Sequence, residues 1–188
     1  MICGDTYQLN AVPSVGNGIW SSISSSNFSN ASMSNSNVTV SEFTVHNFVW
    51  TETNYFCVDT DEVEIAFTAP PTSFAGDSII ICPGEDVEIV NSNISNYTNF
   101  YWITNGDGFF SDPNVLKPQY FYGTSDIDNQ GVTLTLVSEN SPCPNAEGDV
   151  DVTIRQKPTA YFSDDIEICD DGSIAELYVD LVGTPPFN

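Results

Sequence analysis

The sequence predicts an all-β chain organised as a tandem array of small β-sandwiches. Three observations carry that expectation: period-two alternation of apolar and polar residues, turn chemistry at short intervals, and self-similarity at a fixed spacing. Alternation is clear in Phe48-Val49-Trp50, in Val63-Glu64-Ile65-Ala66-Phe67, in Val132-Thr133-Leu134-Thr135-Leu136 and in Val150-Asp151-Val152-Thr153-Ile154. Turns are marked by Gly16-Asn17-Gly18, Asn105-Gly106-Asp107-Gly108 and Pro142-Cys143-Pro144. No capped amphipathic helix is present in the pattern. Strands spaced about 8–12 residues apart in short units fit sandwiches.

The repeat sets the order of the elements. Pro71-Thr72-Ser73 is followed by Asp77, Ile79, Ile81 and Cys82, and Pro158-Thr159-Ala160 is followed by Asp164, Ile166, Ile168 and Cys169 at the same offsets. The two blocks lie 87 residues apart (71 to 158, 82 to 169). The chain start, Ile2-Cys3-Gly4-Asp5, fits the same template at Ile81-Cys82. Trp20 and Trp102 follow the first two opening cysteines and are expected on a central strand against each core. Cys57 and Cys143 then precede the closing strands Asp61–Phe67 and Asp149–Ile154. The period divides the chain into a first unit lacking its opening strand (1–70), a complete second unit (71–157) and the opening strands of a third (158–188). Proline-bearing junctions, Ala69-Pro70-Pro71 and Gln156-Lys157-Pro158, separate them.

Composition narrows the function. The 188 residues carry 26 Asp and Glu against 3 Lys and Arg, a formal net charge of −23. That charge is spread as −7, −9 and −7 over the three segments, which suits a uniformly acidic rod better than a local patch. Such a surface repels phosphate backbones and anionic headgroups, so no nucleic-acid partner is expected. No apolar run approaches the roughly 20 residues of a membrane-spanning helix, and Met1-Ile2-Cys3 has no basic region of a signal peptide. With hydrophobic residues at 40%, the chain has ample material for packed cores.

Five cysteines in a Lys-poor, all-β chain point to an oxidising compartment. The repeat register implies disulfides Cys3–Cys57 and Cys82–Cys143, with the partner of Cys169 beyond the unit. The competing expectation is a set of buried free thiols. Metal-type C-x-x-C spacing is absent, which disfavours zinc.

The residues then resemble a family. Gly18-Ile19-Trp20-Ser21-Ser22 with Phe28-Ser29-Asn30, and Phe48-Val49-Trp50-Thr51-Glu52-Thr53-Asn54 with Cys57, are similar to the Ig-like repeats of giant Bacteroidota cell-surface adhesins. Tyr101-Trp102, Gly108-Phe109-Phe110, Pro118-Gln119-Tyr120, Asp126-Ile127 and Gly131–Leu136 with Cys143 resemble their PKD-like repeat. Ile168-Cys169 through Phe187 resembles the opening of another. The resemblance covers nearly the whole chain. It implies tandem Ig-like/PKD-like sandwiches in gliding-motility adhesins exported by type IX secretion: extracellular, outer-membrane associated and non-enzymatic, with no catalytic residues to carry over. Partners would be neighbouring repeats of the same chain and a surface polysaccharide or substratum.

Candidate chemistry is sparse. His46 is the only histidine and sits in an alternating stretch, Phe43–Phe48, which reads as a half-exposed strand position without a nucleophile motif. Asp126-Ile127-Asp128-Asn129-Gln130-Gly131 resembles the start of a calcium loop, but Val137 stands where an EF-hand needs Glu. No cofactor is expected, with calcium the one candidate, at carboxylates near the junctions: Asp59, Asp61, Glu62, Asp77, Asp164, Asp165, Asp170 and Asp171. Phe109-Phe110 and Tyr120-Phe121-Tyr122 could form a sugar platform, although alternate members of such runs face a core. Two functions follow: a rigid, disulfide-stabilised stalk, or a carbohydrate-binding module. The missing first strand of the first unit would also leave an edge open to strand complementation.

Overall fold

The computed structural model describes residues 1–162, 174, 176 and 178–183. Cys169 and most of the third segment's acidic residues lie outside them. The first repeat runs β1 (Ile2–Cys3), β2 (Thr6–Gln8), β3 (Asn17–Ser22), β4 (Ser26–Phe28), β5 (Asn37–Val40), β6 (Val45–Asn54) and β7 (Cys57–Thr68). One sheet has the order β1-β7-β6-β3 and the other β2-β5-β4. The inward members of each alternating strand meet in one core of Leu9, Trp20, Val38, Val40, Phe48, Trp50, Ile65 and Phe67. Trp20 and Trp50 are cross-strand partners with ring centroids 5.2 Å apart. Gly18 faces Glu52, two residues from Trp50, and a Cβ there would fall 1.8 Å from the Trp50 ring. Only glycine lets the indole lie flat on β3.

The second repeat comprises β8 (Thr72–Phe74), β9 (Ile79–Ile81), β10 (Val87–Glu88), β11 (Asn93–Ser95), β12 (Asn99–Thr104), β13 (Phe109–Phe110), β14 (Gln119–Phe121), helix α1 (Thr124–Asp128), β15 (Gly131–Glu139) and β16 (Ala146–Ile154). Its sheets have the orders β12-β15-β16-β9, β10-β14-β13 and β11-β8. Along β16, Val150, Val152 and Ile154 are buried, while Asp149 and Asp151 point outward and accept hydrogen bonds from the Thr135 and Thr133 hydroxyls at 2.6 and 2.8 Å. Trp20 and Trp102 do face the cores, at 6% and 3% exposure. Each sits on the outermost strand of its four-stranded sheet, β3 or β12, and not on a central one.

Two pairings show how the repeats correspond. The short opening strands run parallel to the closing ones: Ile2 faces Phe67 on β7, and Ile81 faces Ile154 on β16. Further on, β17 (Thr159–Phe162) pairs with β18 (Val179–Val182) through Thr159↔Val182, Ala160↔Leu181 and Tyr161↔Asp180. The β8–β11 ribbon pairs Thr72↔Ser95, Ser73↔Ile94 and Phe74↔Asn93. Each β17–β18 partner is displaced by 87 residues from its β8–β11 counterpart.

Two compact units partition the chain, and their boundaries cut across that period. One holds residues 1–74, 93–101 and 136–148; the other holds 75–92, 102–135 and the described residues from 149 on. The Ala69-Pro70-Pro71 junction therefore lies inside the first unit. There the Asn140 amide donates to the Ala69 carbonyl at 2.9 Å and the Asn96 amide to the Pro70 carbonyl at 3.1 Å.

Candidate functional site

The disulfide in the structure joins Cys3 to Cys143, with S–S 2.10 Å and Cα–Cα 4.8 Å. The expected pairs Cys3–Cys57 and Cys82–Cys143 do not form. The parallel opening strand is the reason. Cys3 faces Thr68 at the end of β7, whereas Cys57 begins that strand. A twelve-residue strand puts the two at opposite poles of the first sandwich, roughly 35 Å apart. Disulfide geometry tolerates a Cα separation of only about 7 Å. Cys82, just after β9, and Cys143, just before β16, are separated by the same logic. Cys57 is exposed and Cys82 half-buried, both as free thiols. The staple thus reaches from the first repeat's opening strand to the β15–β16 turn of the second, where Cys143 is 7% exposed.

A groove of about 770 Å³ opens on the first repeat. Its walls include Leu9, Val12, Ser14, Trp50, Asp61 and Val63. Trp50 is buried, yet its indole N–H has no partner. Glu52 crosses the mouth: its carboxylate accepts the backbone N–H groups of Ser14 (2.9 Å) and Val15 (2.8 Å) and the Ser14 hydroxyl (3.3 Å).

The Asp126 segment is the one whose sequence resembles the start of a calcium loop. It forms the short helix α1, and Asp126 is 1% exposed. Its carboxylate accepts the Tyr120 phenol at 2.8 Å, the Gly123 N–H at 2.9 Å and the Asp107 N–H at 3.3 Å. The Tyr120 oxygen also lies 3.0 Å from the Thr104 hydroxyl. Burial, followed by the Asp126 carboxylate beside it, pushes the Tyr120 phenol up to about 12. Asp107 accepts the Ser125 and Asp126 N–H groups, and the bond from the Ser125 backbone holds its carboxyl below the ordinary range. The Asn-Gly-Asp-Gly turn is explained by approach: a Cβ at Gly106 would lie 1.9 Å from Asp126 Oδ1, and one at Gly108 2.5 Å from the Tyr120 oxygen. Among the described residues, no group of three or more His, Cys, Asp or Glu is placed to hold a metal ion.

His46 is buried, not half-exposed, at 2%. Its Nε2 lies 2.9 Å from the Glu42 carbonyl, so it carries the proton and donates. Nδ1 is then an acceptor for the Ser24 hydroxyl at 2.9 Å. With Phe48 stacked on it and Phe67 against its edge, the ring is a satisfied core member. The aromatic runs divide as alternation requires: Tyr120 is buried and Phe110 packs on it at 5.0 Å, while Phe109 and Phe121 stack at 5.0 Å on the outer side. Glu52, Asp107 and Asn140 were not singled out by the sequence. The one available signal was spacing, since Asn54 and Cys57 stand in the same relation as Asn140 and Cys143.

These sandwiches, each with a parallel opening strand and a core tryptophan on the outermost strand of its four-stranded sheet, define a chain of immunoglobulin-like domains. Among solved structures it is similar to the insect immune protein hemolin: 12% identity over 82% of this chain and 44% of that one, with a TM-score of 0.52. It is also similar to an I-band fragment of titin (11% identity, 99% of this chain and 73% of that one, TM-score 0.43) and to the IG1+IG2 fragment of DIP-gamma (10%, 73% and 82%, TM-score 0.39). The chain spans less than half of the hemolin chain, and the likeness there shows the fold. No family model matches the sequence, and no curated protein matches it. Among the described residues, no helix is long and apolar enough to cross a membrane.

Proposed function

We propose that the chain is a load-bearing stretch of a secreted, cell-surface adhesin, in which the sandwiches act as spacers and adhesion resides elsewhere. The observation that carries this reading is the Cys3–Cys143 disulfide, which ties the first repeat to the second rather than stabilising either alone. A bond of that kind contributes little to recognising a ligand and much to resisting extension and bending at a junction. The Asn140 and Asn96 side chains on the carbonyls of Ala69 and Pro70, and the two prolines there, work in the same direction. The acidic surface keeps such an array soluble and unaggregated. Export into an oxidising, extracellular compartment, and a part in gliding motility, extend this reading through the family resemblance. The test is a non-reducing peptide map of the protein recovered from the cell surface, with free thiols labelled. Cys3–Cys143 linked, with label on Cys57 and Cys82, is the expected result. Label on Cys3 and Cys143 would remove the basis of the reading.

A carbohydrate-binding role is the second reading, and the stacked outer pair Phe109 and Phe121, 65% and 38% exposed, is the observation that favours it. Saturable binding to surface polysaccharide that is lost in Phe109→Ala would establish it.

A further inference from the structure

The −7 of the first segment conceals an uneven distribution within it. Its carboxylates are Asp5 and then six from Glu42 to Glu64, so Thr6 to Ser41 holds no charged side chain in 36 residues. At the chain's overall charged fraction of 15%, about five would be expected there. This uncharged stretch supplies all three strands of the β2-β5-β4 sheet. Alternation turns Val38 and Val40 into the core, so Asn37 and Thr39 point outward. Asn27 on β4 and Thr6 on β2 both pair with Thr39, and the Thr6 and Thr39 hydroxyls lie 3.2 Å apart. Asn27, Asn37 and Thr39 are all exposed. Beside them, a shallow pocket of about 380 Å³ is lined by Ser25, Ser26, Asn27, Thr39, Val40 and Ser41. The outward members of these strands are thus hydroxyls and amides, with neither a charge nor an aromatic ring among them.

The second repeat fills the same position differently. Trp20, Phe28 and Val38 correspond to Trp102, Phe110 and Tyr120, each 82 residues further on. Phe28 pairs with Val38, and Phe110 with Tyr120, across equivalent strands. The outward pair beside them is Asn27 with Thr39 in the first repeat and Phe109 with Phe121 in the second.

We propose that the outer face of the β2-β5-β4 sheet binds a neutral polysaccharide, through hydrogen bonds between Asn27, Thr39 and their neighbours and the sugar hydroxyls. The proposal extends the carbohydrate reading to a second site and rests with it on the chain meeting a glycan. Each Asn offers donors and an acceptor, and each Ser or Thr a donor and acceptor lone pairs, which a sugar ring's hydroxyls answer in kind. An anionic glycan is repelled by the net charge of −23, whereas a neutral one approaches without that cost and meets no carboxylate on these strands. A protein partner fits less well. Protein interfaces are anchored on aromatic or Arg side chains in an apolar centre, and the outward side chains of this sheet supply none.

The test uses the isotope-labelled full chain, titrated with laminarin, dextran and mannan oligosaccharides as neutral probes and alginate oligosaccharides as the acidic counterpart. The expected result is saturable backbone-amide shifts at Asn27, Asn37 and Thr39 with at least one neutral probe, and none with alginate at the same concentration. Asn27→Ala should weaken that binding about fivefold, the loss of one neutral hydrogen bond. Asn27→Ala combined with Thr39→Val should weaken it further, with an unchanged thermal midpoint because both side chains are exposed. Phe109→Ala should leave the shifts at Asn27 and Thr39 in place. Signals of Phe109 and Phe121 report the aromatic pair separately, so either site can fail without the other. Absence of shifts at Asn27 and Thr39 with all three neutral probes, an equal response to alginate, or undiminished binding in the double variant would overturn the proposal.

Discussion

A staple spanning 140 residues of sequence removes nearly all of the chain from the path of a stretching force. When the chain is pulled from its two ends, the load passes along residues 1–3, crosses the disulfide, and continues from 143 onward. At about 3.3–3.6 Å per extended residue, roughly 480 Å of contour length is locked behind the bond. Fully unfolded, the oxidised chain should reach only about 180 Å, against roughly 660 Å when reduced. Single-molecule force spectroscopy with and without a thiol reductant reads this difference directly. The pairing that the repeat register suggested, Cys3 with Cys57 and Cys82 with Cys143, would lock only about 400 Å, well separated from the observed arrangement. Full extension of the oxidised chain would refute the argument that this bond limits extension.

The remaining predictions concern the packing that supports the staple. Tyr120 has a folded pKa of about 12, above the unfolded value near 10, so its contribution is complete below pH 10 and is lost as pH rises through 12. Denaturant titrations should show up to about 3 kcal/mol of alkaline loss that is missing in Tyr120→Phe; equal slopes in the two proteins would refute the assignment. Asp126→Ala strands three buried or half-buried donors and should destabilise the second repeat by about 3–5 kcal/mol, measured the same way. Gly18→Ala places a methyl group inside the Trp50 ring position and should cost about 1–3 kcal/mol, with a changed near-ultraviolet tryptophan signal from the displaced indole. Salt should raise the thermal midpoint, because at −23 the folded chain repels itself and the Debye length shortens from about 10 Å at 0.1 M to about 3 Å at 1 M.

What was legible in the sequence was whatever alternation records. Val150, Val152 and Ile154 face the core and Asp149 and Asp151 face water, as their spacing requires. The aromatic runs split by the same rule. The disulfide was not legible, because parity along a strand says nothing about which pole of a sandwich an end occupies. That is decided by whether the opening strand runs parallel or antiparallel to the closing one, and β1 is parallel to β7. His46 was misjudged for a related reason. A strand pattern marks its face correctly, but burial of a polar ring depends on partners at Ser24 and Glu42, which belong to neighbouring loops. The Asp126 loop shows the limit of motif reading: the Asp126 carboxylate already accepts the Tyr120 phenol and the Gly123 and Asp107 N–H groups.

The carboxylates explain how so unbalanced a chain holds together. Three cations cannot partner 26 anions, and the acids here take neutral donors instead. Glu52 binds the Ser14 and Val15 backbone, Glu85 the Cys82 N–H, and Asp107 the first turn of α1. Such bonds are charge-assisted and depend on no residue of opposite sign, so they hold at each site without a matched basic neighbour. At the position where the second repeat has Ser138, fully buried and donating to the Thr72 carbonyl, the first has Glu52, which accepts the Ser14 and Val15 N–H groups. An apolar residue there would leave those N–H groups without a side-chain partner.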